Sequence, residues 1–119
     1  MNNPNNYAIL RGTLVRDPKF YEYKNGNKSV TMKIAVKNSW KNKDGESGTQ
    51  YIPVKANINA SVSDNKNPFL LVKGGDFVTM EVSLRNKVNN AEDGNKHYQV
   101  EAYCEKISFG YENNTDLET

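Results

Sequence analysis

Trp40 and Tyr51 carry flat aromatic faces close to lysines: Lys37, Lys41 and Lys43 surround the first, and Lys55 follows the second. Arg11, Lys33, Lys37, Lys55, Arg85 and Lys87 add fixed positive charge on segments that alternate apolar with polar residues. Rings of this kind stack on planar ligands and cations neutralise anions. The pair of properties therefore suits a ligand that alternates flat rings with negative charges.

Whether these side chains can converge depends on the elements that hold them. From Val30 the apolar residues Val30, Met32, Ile34 and Val36 alternate with Thr31, Lys33, Ala35 and Lys37, the period of a half-buried strand with a basic outer face. Ile52, Val54, Ala56 and Ile58 alternate in the same way with Tyr51, Lys55, Asn57 and Asn59. Val78, Met80, Val82 and Leu84 oppose Thr79, Glu81, Ser83 and Arg85, and Tyr98, Val100, Ala102 and Cys104 oppose Gln99, Glu101, Tyr103 and Glu105. Tyr7 to Val15 reads as an opening strand interrupted by Gly12. Turn signals at Asn25-Gly26, Lys43-Asp44-Gly45 and Glu92-Asp93-Gly94-Asn95 separate the runs.

The expected fold class is thus all-β with five strands. Between the third and fourth, the link from Ser61 to Gly75 is broken by Asn65, Asn67 and Pro68 and keeps only a short apolar patch, Phe69 to Val72. Five strands with a short irregular segment at that place is the layout of the OB-fold, a partly open Greek-key barrel. A sandwich of short strands is the alternative. Pro53 lies inside the third strand, where it cannot donate a ladder hydrogen bond, and implies an edge or a bulge.

Strand parity also aims the candidate residues. Tyr51 shares parity with Lys55 and should face solvent; ordinary cross-strand packing is its other reading. Trp40 continues the even-numbered buried set from Val30 to Val36, so parity predicts an inward ring; a bulge or strand end around Asn38-Ser39 would reverse this, and Lys37, Lys41 and Lys43 nearby favour an exposed ring. The six cations come from several strands that would converge on one barrel face as phosphate contacts, the alternative being a solvated surface. An unpaired nucleic-acid strand is the ligand such a face fits, an aromatic stack being worth about 1–3 kcal/mol per base. Phe20, Tyr21 and Tyr23 fall in the first hairpin; some of them read as core or subunit contacts, and none is assigned a stacking role.

The 119 residues bound the rest. They suffice for one domain, expected over residues 6–110, with a flexible tail at 1–5 and a short acidic one at 111–119. Eighteen asparagines make the loops polar. The net charge is +2, but Glu112, Asp116 and Glu118 lie in the last nine residues; residues 1–110 hold sixteen bases against eleven acids, or +5. One cysteine, Cys104, closes no disulfide within the chain, and no signal peptide or membrane span is expected, so the expected setting is cytoplasmic, without membrane contact. His97 is the single histidine and has no second nitrogen or sulfur ligand pair for a metal site. The carboxylates are scattered, and Lys73-Gly74-Gly75 lacks the spacing of a phosphate-binding loop. No catalytic residue, metal or cofactor is expected.

Arg11-Gly12-Thr13-Leu14-Val15-Arg16-Asp17-Pro18, then Asn25-Gly26, Ile34-Ala35-Val36 and Lys73-Gly74-Gly75-Asp76, resemble in order and interval the bacterial-type single-stranded DNA-binding proteins, over about residues 6–109. The resemblance implies an OB-fold, a homo-oligomer with a tetramer favoured over a dimer, and non-catalytic, sequence-tolerant capture of single-stranded DNA in replication and recombination. It also implies that Trp40 and Tyr51 are stacking aromatics, and that two further stacking positions have become Asn57 and Asn89. The family's acidic tail ends in a Pro-Phe pair that docks partner proteins, whereas this chain ends Asp116-Leu117-Glu118-Thr119, a reduced form that fits a phage or mobile-element copy. Replication or recombination proteins are the further partners implied. Two other functions stay open: an OB-fold adaptor of a replication complex that binds protein, and an OB-fold nuclease, against which the missing acid/base and metal cluster argues.

Overall fold

The computed structural model describes residues 4–109. They form six strands: β1 (Ala8–Leu14), β2 (Lys19–Glu22), β3 (Lys28–Lys37), β4 (Thr49–Ile58), β5 (Phe77–Asn90) and β6 (Lys96–Phe109). The sheet order is β1-β5-β6-β4-β3-β2, and a further pairing of β1 with β3 bends it round into an OB-type barrel. The extra strand is β2. Its residues have no buried face, so alternation could not reveal it; it is held by the antiparallel ladder to β3 across the Asn25-Gly26 turn, where Gly26 takes a positive φ. Phe20, Tyr21 and Tyr23 are consequently exposed and not in the core.

Val30, Met32 and Ile34 of β3, Val54, Ala56 and Ile58 of β4 and Val78, Met80 and Val82 of β5 do line the core, with Leu14, Ile34, Val54, Val78 and Met80 almost fully buried. Between β4 and β5 the irregular link makes two 3₁₀ turns, Asp64–Lys66 and Pro68–Leu70. Of its apolar patch, Phe69 and Val72 enter the core while Leu70 and Leu71 stay outside. Asn67 is buried there, its side-chain oxygen accepting a hydrogen bond from Phe69 N at 2.9 Å.

Two local features decide how the outer face is shaped. Pro53 pairs with Lys33 in an unbroken β3–β4 register, so no bulge is needed; β6 joins β4 only from Val54, and Pro53 sits on open edge. The β5–β6 pairing runs to Asn90↔Lys96, well past the places where β1 and β4 stop covering it, with a bulge at Glu81/Val82. Its far end stands out as a two-stranded ribbon. Leu84, Tyr98 and Val100, expected on the buried side, are therefore exposed, as is Val88.

Candidate nucleic-acid interface

The odd-numbered residues of β1, β3, β4 and β5 share the outer face of the barrel. Arg11, Lys37, Tyr51 and Phe77, with Gly12, Thr13, Ala35 and Thr49, line a groove of about 370 Å³. Tyr51 stands opposite Ala35, whose small side chain leaves the ring 61% exposed. Arg11 is aimed by two contacts: Nε donates to Thr79 Oγ1 at 3.1 Å, and the guanidinium lies 5.5 Å from the centre of the Phe77 ring. Lys33 is on the same face, opposite Pro53, without lining this groove.

β3 ends at Lys37, so parity no longer governs Trp40, and its ring is 62% exposed rather than inward. The connection that bears it is pinned on either side. Asn38 N donates to Gly48 O at 2.9 Å and Gln50 Nε2 to Asn38 Oδ1 at 3.0 Å, while Asn42 Oδ1 accepts from both Asp44 N and Glu46 N at 2.9 Å.

The other half of the face is built around a carboxylate. Lys55 Nζ lies 2.8 Å and Lys87 Nζ 3.8 Å from Glu101 Oε2, and the Tyr103 hydroxyl donates to Glu101 Oε1 at 3.5 Å. The Lys55 hydrogen bond holds the Glu101 carboxyl below its ordinary pKa, and the same bond raises Lys55, so both are ionised at neutral pH. The Arg85 guanidinium stacks 3.9 Å from the centre of the Tyr103 ring. Lys55 and Tyr103 also line a cleft of about 240 Å³ with Tyr23, Ser29, Thr31 and Asn57. Tyr21 packs edge to face on Tyr23 with ring centres 4.9 Å apart.

Six of the eight expected residues thus fall into two sets, while Lys33 and Trp40 belong to neither. Arg11, Lys37 and Tyr51 share one groove, whereas Lys55 and Lys87 share Glu101, with Arg85 beside them on Tyr103. Phe77, Tyr103 and Glu101 were not among the expected site residues, although the outward parity of Tyr103 and Glu101 was readable. Among the described residues no group of His, Cys, Asp and Glu could hold a metal ion, and no helix is long and apolar enough to cross a membrane. His97 is an exposed strand residue paired with Asn89.

Comparison with known proteins gives a match to the model of the single-strand binding protein family over residues 5–110. A single-stranded DNA-binding protein of Staphylococcus epidermidis is 27% identical over 114 residues, which cover 96% of this chain and 82% of that protein.

Proposed function

The chain belongs to the single-strand binding protein family, a non-enzymatic family, and from that premise we propose that its outer barrel face holds single-stranded DNA sequence-tolerantly, by stacking and by phosphate contacts. One observation carries the mechanism: three strands deliver Arg11, Lys37 and Tyr51 to a single open groove, and the exposed Trp40 stands on the connection that leaves β3 just after Lys37. Bases stack on Tyr51 and Trp40, whose π-faces discriminate little between them. Phosphates meet Arg11, Lys33 and Lys37, and then Lys55, Arg85 and Lys87 farther along the face. No step needs a cofactor, since the strand is held and released unchanged.

Capture of this kind keeps a strand free of hairpins and presents it to replication or recombination proteins. The working form is a homo-oligomer, tetramer first and dimer second; the exposed apolar residues Leu84, Val88, Tyr98 and Val100 of the β5–β6 ribbon favour association. The deciding experiment mixes the protein with labelled oligothymidine and follows both anisotropy and strand length. Tight binding with an intact oligomer is expected. Failure to bind would favour a protein-binding adaptor, and shortening of the strand a nuclease.

A further inference from the structure

Resting on the reading that this face holds single-stranded DNA, we propose that Glu101 is a built-in stand-in for a backbone phosphate, which occupies the cations of one half of the site until a strand displaces it. Three strands converge on this one carboxylate. Lys55 comes from β4 at 2.8 Å, Lys87 from β5 at 3.8 Å and the Tyr103 hydroxyl from β6 at 3.5 Å, which are the two cations and one neutral donor a phosphate would use. The Glu101 side chain is 14% exposed while Lys55 and Lys87 are 38% and 46% exposed, so the carboxylate lies beneath cations that still reach solvent.

The contrast with the rest of the face is what gives Glu101 a role. Among the described residues the ion pairs are Lys28–Asp64, Lys55–Glu101 and Lys87–Glu101; Arg11, Lys33 and Lys37 take part in none. A strand therefore meets open cations around Tyr51 and answered ones at Lys55 and Lys87, while Arg85, in no ion pair, lies on the Tyr103 ring between the two cases. On the open side each phosphate contact releases condensed counterions. On the other side it exchanges one anion for another, and the gain is partly cancelled. Glu101 thereby sets both the affinity and the salt sensitivity of the Lys55 half without touching a base.

Glu101→Gln tests this, because it keeps the shape and one acceptor oxygen and removes the charge. Oligothymidine binding is measured by anisotropy over a salt series for the wild-type chain, Glu101→Gln, Lys55→Met and the double variant, with circular dichroism melts to verify folding. Glu101→Gln should bind several-fold more tightly at low salt, with log K falling more steeply against log salt by about 0.7 for each phosphate contact released, hence about 0.7–1.4 for two lysines. Lys55→Met should flatten the slope more in the Glu101→Gln background than in the wild type. A folded Glu101→Gln with an unchanged slope or weaker binding overturns the inference and makes Glu101 a positioning residue for Lys55. Should Glu101→Gln not fold, Lys55→Met alone decides: a slope loss under half of the roughly 0.7 expected for one free contact supports the proposal, and the full loss overturns it. No binding by the wild-type chain overturns the functional reading, and this inference with it.

Discussion

Tyr51 stands on a strand and Trp40 on a loop, yet the hydrogen bonds of Asn38 and Asn42 hold the loop on either side of the indole, so the backbone that bears each ring is set before any ligand arrives. Removing either ring should therefore cost contact more than order. Trp40→Ala and Tyr51→Ala are each expected to weaken oligothymidine binding by about 1–3 kcal/mol while leaving the salt slope nearly as it was. Trp40 is the only indole, and stacking on it should quench the protein's tryptophan emission. Tight binding at constant emission would leave Tyr51 and the cations to carry the site. Cys104 makes a different prediction. It is buried, its thiol donates to Lys106 O at 3.2 Å, and burial pushes its pKa up to about 12. Because that pKa is higher folded than unfolded, the stability the thiol contributes is complete below the ordinary thiol range and is lost as pH rises through it towards about 12. At about pH 8 an aromatic disulfide reagent should label the native chain only as fast as it opens, and the urea-unfolded chain at once. Immediate labelling of the native form would place the sulfur in solvent.

At the scale of elements, β1 crosses β3 at Thr13↔Ala35, beside Gly12. A methyl group on Gly12 would lie 2.1 Å from the Ala35 carbonyl oxygen and 2.9 Å from its carbon, both backbone atoms that no rotamer change can move. Gly12→Ala should thus prise the crossing apart and lower stability by about 1–3 kcal/mol or more, read as a shift of the urea midpoint. An unchanged midpoint would mean that the two strands can separate there without cost. Alternation made the interior legible in advance, since Val30, Met32 and Ile34 of β3 and Val54, Ala56 and Ile58 of β4 all face inward. It failed where a local pattern stops carrying spatial information. β2 has no buried face to alternate, and Trp40 lies beyond the end of the strand whose parity it continues. Tyr98 and Val100 obey the pattern of the core, but the ribbon they belong to outruns the barrel, a length that depends on β1 and β4 rather than on β6 itself. On the outer face Tyr51 was legible because a lysine shares its parity. The clustering of Lys55 and Lys87 on Glu101 was not, because it joins three strands distant in sequence.

For the whole molecule, residues 1–110 hold a surplus of five positive charges and the described part exposes an apolar ribbon, so association and strand capture should respond oppositely to salt. Light scattering at micromolar concentration should give a homo-oligomer, most often a tetramer, that persists when salt is raised. A monomer throughout would remove the oligomer from the proposal. Glu112, Asp116 and Glu118, read as a short acidic tail, lie outside the described residues.

The barrel is closed by seams much shorter than its walls. β4 meets β6 through Val54↔Ala102 and Lys55↔Tyr103, and β1 meets β3 through Thr13↔Ala35 and Leu14↔Ile34, whereas the β3–β4 ladder runs for ten pairs. In mechanical terms this is a split ring, whose joints yield before its walls do. Lys55 and Tyr103 belong to one joint and also to the cleft on the outer face, so a ligand laid there would act as a clasp across it. Amide hydrogen exchange follows such opening directly: protection at Val54, Lys55, Ala102 and Tyr103 should be the first lost on warming and the most restored when a strand is bound.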